Sequence, residues 1–131
     1  VRGTALERRR DVSGREQERF PCTEATVVAV YGEIDIATAD AMRERLLRAA
    51  ARSGRACVVV DLSRADFFDA SAVRALMEVY RRLTGDGRHM VVAEPAPLPA
   101  RVLTALRLHE IIEVYPLVEM ALAHIQRPAR R

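Results

Sequence analysis

The sequence predicts an α/β fold in one domain: a mainly parallel, mixed β-sheet with helices packed against it, in the order β-β-α-β-α-β-α-β-α. Three observations carry this. Cys57-Val58-Val59-Val60 is a short apolar run rich in β-branched residues, as a strand buried on both faces requires. The period then changes, because Val73, Leu76, Met77, Tyr80 and Leu83 recur at three- and four-residue spacing, so 71–83 is an amphipathic helix. Strand-then-helix units recur down the chain, and such units build a parallel sheet through right-handed crossovers. A chain of 131 residues, half of them apolar, suits one domain with a single core.

Taken in order, residues 1–19 are densely charged with no apolar period, the pattern of a flexible tail, and they lack the apolar stretch of a secretory leader. The folded domain is expected over 20–127, with 128–131 a short basic tail. A short edge strand is expected at 20–23, where Pro21 removes a ladder donor. Residues 26–31 read as a strand, and 32–37 as a loop carrying Glu33 and Asp35. Thr38 suits the N-cap of a helix to Ser53, with Ala39, Met42, Leu46, Ala49 and Ala50 inward and Gly54 as its stop. Between the valine strand and the next helix lie Asp61, Asp66 and Asp69, with Phe67 and Phe68. Asp69 is placed to cap that helix, and Ser71 falls in its first turn, where orphan amides and the helix dipole favour an added anion. A turn at 84–87, a strand at 89–93 and a loop at 94–98 follow. Pro99 suits the first position of a helix through Leu108. A strand is expected at 111–115, and Pro116 starts a helix to about 126 with Leu117, Met120, Ala121 and His124 or Ile125 inward.

Charge and residue usage narrow the function. Residues 1–20 hold six arginines against four acids, whereas 21–126 hold 12 arginines and 14 acids. The folded part thus shows no basic excess of the kind that direct nucleic-acid binding requires. No apolar run approaches the roughly 20 residues of a membrane span, and a cytoplasmic location is expected. Cys22 and Cys57 are too few for a disulfide framework, and Cys57 reads as a small buried hydrophobe. His89, His109 and His124 fall on three separate elements, a spacing that suggests no metal centre. No glycine-rich phosphate loop is present, and Gly85-Asp86-Gly87 is a turn. Asp61, Asp66 and Asp69 are open to use as an acid–base or magnesium cluster, although turns and caps are the commoner use of such residues. Lys and Asn are both missing, which suggests a GC-rich bacterial genome because their codons are A-rich.

Two motifs resemble the STAS domain, the family named for sulfate transporters and anti-sigma factor antagonists. Gly32-Glu33-Ile34-Asp35-Ile36-Ala37-Thr38-Ala39 is similar to the family's G-E-[IL]-D segment. Asp61-Leu62-Ser63-Arg64-Ala65-Asp66-Phe67-Phe68-Asp69-Ala70-Ser71-Ala72 is similar to its D-L-S-x-x-x-F-x-D-S-S-G segment. The resemblance implies an anti-sigma factor antagonist, a regulatory binding protein with no cofactor and no catalytic residues. It would bind an anti-sigma factor serine kinase and so release a sigma factor. Ser71 is then the phosphoacceptor, a serine phosphatase resets the switch, and Asp35, Asp66, Asp69, Ala70 and Ala72 meet the partner. A monomer or weak dimer is expected. Ala70 stands where the motif has its first Ser, and Ala72 where it has Gly, so a methyl group is expected to crowd an approaching kinase. The alternatives are a STAS scaffold that is not phosphorylated, a soluble STAS subunit of a membrane transport system, or a small phosphoester hydrolase using Asp61, Asp66 and Asp69.

Overall fold

The valine run is covered on both faces, and the architecture follows from that. The computed structural model describes residues 9–10, 16–17 and 24–126. Its elements are β1 (Arg9–Arg10), β2 (Glu16–Gln17), β3 (Ala25–Ile34), α1 (Ala39–Ser53), β4 (Cys57–Phe68), α2 (Ala70–Gly85), β5 (His89–Ala93), α3 (Pro97–Ala105), a 3-10 turn (Leu108–Glu110), β6 (Val114–Tyr115) and α4 (Val118–Gln126). Strands β3, β4, β5 and β6 form one sheet in that spatial order, with every pairing parallel. β1 and β2 pair antiparallel, Arg9 opposite Gln17. The edge strand expected at 20–23 lies outside the described residues.

Alternation along β4 and β5 divides the core in two. Val58, Val60 and Leu62, with Met90 and Val92, join the buried stripes of α1 and α2 and Leu103, Leu108 and Ile112 in the main core. Cys57, Val59, Val91 and Ala93 face the other way and pack with Ala121 of α4. None of these nine strand residues is more than 1% exposed, which is why the runs 57–60 and 90–93 are apolar at every position. The inner face of α1 holds Ala39, Met42, Leu46 and Ala50 as expected, and Gly54 ends the helix at φ 64°.

β4 differs from expectation in length. It runs on to Phe68, so Asp61 and Asp66 lie in the strand and not in a loop, and β3 likewise continues through Glu33 to Ile34. The pairing moves from Ala29 opposite Asp61 to Tyr31 opposite Arg64, and from Gly32 opposite Ala65 to Glu33 opposite Phe67. Each step gives β4 one residue more than β3, the signature of a β-bulge. The extra residues stretch the spacing of buried positions from two to three, so Leu62, Ala65 and Phe68 all reach the main core.

Smaller corrections concern the ends and faces of helices. α3 starts at Pro97, not Pro99. α4 starts at Val118, whose amide donates to Glu94 Oε1 at 3.0 Å, and not at Pro116. Leu117 and Met120, expected inward, are 45% and 47% exposed, while Ala121 is fully buried. The short Ala121 side chain lets α4 lie close to Val59 and Val91, and that contact sets the rotation of the helix. Thr38 precedes α1, but its hydroxyl donates to Glu33 O at 2.9 Å instead of capping a helix amide. At the other end of α1, Arg88 Nη2 donates to Ala50 O at 2.9 Å, and Arg88 Nε to Arg55 O at 2.9 Å. Ala50 O also accepts from Gly54 N at 3.1 Å, so what the guanidinium adds is a positive charge at the C-terminal end of the helix, where the dipole favours one. Cys57 is buried as expected, but its sulfur is disulfide-bonded, so it is more than a small hydrophobe. No helix among the described residues is long and apolar enough to cross a membrane.

Candidate functional site at the carboxyl ends of β3 and β4

Ile34 pairs with Phe68, so the next residues, Asp35 and Asp69, leave the sheet side by side. In open α/β sheets the carboxyl ends of the strands are where loops free of packing duties gather. β4 overruns β5, whose last partner is Ala93 opposite Asp61, so this end of β3 and β4 projects beyond the rest of the sheet.

The turn into α2 is fixed by Asp69. Its backbone is extended, and Oδ1 accepts from Ser71 N at 2.8 Å and from Ala72 N at 3.2 Å. This is an N-cap in which a full negative charge meets the positive end of the helix. Ser71 is thereby held in the first turn, half-buried, with its amide already engaged by the carboxylate. Ala70 is exposed beside it. Ala72 is 0% exposed and belongs to the main core, so its methyl group faces the sheet and not an approaching partner. The crowding expected from the sequence therefore does not arise at that atom.

The turn after β3 is built by Asp35. Its Oδ1 accepts from Ala37 N at 2.9 Å, while Asp35 N donates to Thr38 Oγ1 at 2.9 Å. Asp66 sits in the second bulge, exposed, between Ala65 and Phe67. Large apolar side chains stand among these carboxylates, with Ile36 81% and Phe67 40% exposed. Neither was among the residues expected to meet the partner. A signal for one was available, since neighbours Phe67 and Phe68 on a strand cannot both face the core. Below them the Tyr31 ring has the Arg45 guanidinium 5.9 Å and the Arg64 guanidinium 5.7 Å from its centroid.

The three carboxylates weighed as a catalytic cluster do not converge. At about 3.3 Å per strand residue, Asp61 and Asp69 stand roughly 20 Å or more apart. Asp61 is occupied locally, its Oδ1 accepting from Ser63 N at 2.9 Å. Among the histidines the structure overturns the expectation of separation. His89 and His124 meet edge-on with ring centroids 5.1 Å apart, while His109 is exposed in the 3-10 turn.

A family model for the STAS domain matches residues 15–121. An anti-sigma factor antagonist from Mycobacterium paratuberculosis has a similar solved structure, with 28% identity and a TM-score of 0.70 over 78% of this chain and 86% of that one. The anti-sigma factor antagonist SpoIIAA in its unphosphorylated form matches at 18% identity and a TM-score of 0.65, covering 82% of this chain and 93% of its own. The STAS domain of a SulP transporter from Vibrio cholerae matches at 18% identity and a TM-score of 0.60, covering 80% and 86%. The latter two likenesses bear on the fold alone.

Proposed function

The chain belongs to the STAS domain family, and from that premise we propose that it is a cytoplasmic anti-sigma factor antagonist switched by phosphorylation of Ser71. Unphosphorylated, it binds an anti-sigma factor serine kinase and frees a sigma factor; phosphorylated, it lets the kinase go until a serine phosphatase restores it. The observation that carries this is the first turn of α2, where Asp69 presents Ser71 at the projecting end of the sheet, beside Asp35 and Asp66. Likeness to the Mycobacterium paratuberculosis antagonist supports it. So does the surface: Ile36 and Phe67 offer apolar area to a partner, and the carboxylates around them give it a sign.

The switch follows from charge. A phosphoryl group adds about −1.5 to −2 charge at neutral pH. Ser71 N already donates to the Asp69 carboxylate at 2.8 Å, so the new anion either displaces that cap or stands against it. Within an interface the group must also be desolvated among like charges, which weakens binding. Asp35, Asp66, Asp69 and Ala70 form the contact surface, and Ala72 supports it from beneath.

With the cognate kinase and ATP, mass spectrometry is expected to find one phosphate on Ser71. Ser71→Ala takes up none and still binds, and Ser71→Asp binds at least tenfold more weakly. Phosphate on Ser63 or Thr38, or on neither of these nor Ser71, refutes the assignment. A second reading is a STAS module serving a membrane transport system. Co-purification with a membrane complex, together with indifference to the kinase, would select it.

A further inference from the structure

The far end of the sheet from Ser71 carries a second group of residues. Cys57 opens β4, His89 opens β5 directly opposite it, and His124 reaches in from α4. One donor atom from each lies within 4.8 Å of the other two. Cys57 Sγ and His89 Nδ1 are 3.5 Å apart. Sulfur and two imidazole nitrogens form a donor set suited to a borderline d10 cation such as Zn2+.

The histidines are held in the tautomers that ligation needs. His124 Nδ1 lies 2.7 Å from Ala121 O. A carbonyl can only accept, so Nδ1 carries the proton and Nε2 carries the lone pair. That Nε2 is buried and has no hydrogen-bond partner. His89 Nε2 lies 3.6 Å from Glu113 Oε2, and a neighbouring carboxylate favours the proton on that nitrogen, leaving the Nδ1 lone pair toward Cys57. Glu113 is itself fixed by the Tyr115 hydroxyl at 3.0 Å, and the Tyr115 ring stacks on His124 at 5.7 Å. A carbonyl or carboxylate behind each ring is the usual outer shell of a metal-binding histidine. Bond lengths of about 2.3 Å for Zn–S and 2.0–2.1 Å for Zn–N put tetrahedral donor atoms roughly 3.3–3.6 Å apart. The sulfur–nitrogen pair already meets that spacing, and the remaining separations, each within 4.8 Å, need closing by no more than about 1.5 Å.

Cys57 is disulfide-bonded, and the chain has one other cysteine, Cys22, outside the described residues. We propose that the reduced chain binds one Zn2+ through Cys57 Sγ, His89 Nδ1 and His124 Nε2, with water at the fourth position, and that disulfide and metal exclude each other. A dithiol opens the disulfide by two exchange steps and becomes a disulfide itself, while the protein takes up two electrons and two protons. Zn2+ then displaces the Cys57 thiol proton to solvent.

The test uses the untagged full chain. One portion is reduced with a phosphine and one is kept oxidised, and each is titrated with Zn2+ against a chromophoric chelator and with Co2+ under visible spectroscopy. The reduced chain is expected to take one equivalent of Zn2+ and to give intense Co2+ d–d bands with a thiolate charge-transfer band. The oxidised chain is expected to bind at least tenfold more weakly, and so is reduced His124→Ala, while His109→Ala is unchanged. No uptake by the reduced chain overturns the proposal. So does equal uptake by the oxidised chain, or Co2+ bands lacking the thiolate feature. These arms need no substitution, so a variant that fails to fold leaves the proposal testable.

Discussion

Replacing Asp69 by Ala separates what holds the candidate site from what uses it. The side chain accepts from two first-turn amides, at 2.8 and 3.2 Å, and adds a negative charge at the helix start. Loss of such a cap costs about 0.5–2 kcal/mol. Two good acceptor contacts on a half-buried side chain put this case in the upper half, about 1–2 kcal/mol. Asp69→Asn keeps an acceptor oxygen and loses only the charge, a cost of about 0.3–1 kcal/mol. Equilibrium urea unfolding, with the disulfide intact throughout, gives both values from the shift in midpoint at constant slope. In a thermal melt the Ala variant should fall by about 4–8 °C per kcal/mol, the scale for a domain of this size. Equal losses for Ala and Asn, or an Ala variant within about 0.3 kcal/mol of the parent, would refute the capping argument. The order of Ser71 would then have another source.

Other substitutions test the packing around the site. Leu76 is fully buried on the inner face of α2, so Leu76→Ala should cost about 2–5 kcal/mol by urea unfolding. Ala72→Gly removes a buried methyl and a better helix former, which together amount to about 1–2 kcal/mol. Its rate of phosphorylation per folded molecule should be unchanged; a faster rate would show that the methyl does face the kinase. Met120→Ser on the exposed side of α4 should stay within about 0.5 kcal/mol. Ala121→Leu on its buried side should cost about 1–3 kcal/mol by overpacking, and the reverse order would mean α4 is turned the other way.

Much of the fold was legible because local and tertiary demands coincide. Val58-Val59-Val60 favours a strand and is a buried strand, and the stripe from Val73 to Leu83 favours a helix and is one. Asp69 was legible as a cap because its contacts are made within three residues of itself. The stretch from Asp61 to Phe68 was not. Its buried residues fall at every third position, a pattern belonging to neither regular strand nor amphipathic helix, and only pairing with β3 explains it. On α4 the expectation held for Ala121 and failed for Leu117 and Met120, because the sheet accepts the small side chain and leaves the two larger apolar ones outside. The meeting of His89 and His124 depends on α4 crossing the far face of β5, which no local pattern encodes.

The two bulges of β4 are slack in the chain ahead of Ser71. From Asp61 onward the chain holds two residues that β3 does not match, and only then do Phe68 and Ile34 come level. Without Asp66, the residue of the second bulge, Ala65, Phe67 and Phe68 would still stand opposite Gly32, Glu33 and Ile34, inward, outward and inward in plain strand alternation. Asp69 and its cap would keep their place. Beyond Phe68 there is no unmatched residue to give up, so a loss between Phe68 and Ser71 would move the serine itself. Across relatives, a single-residue deletion should be tolerated at Asp66 and absent between Phe68 and Ser71.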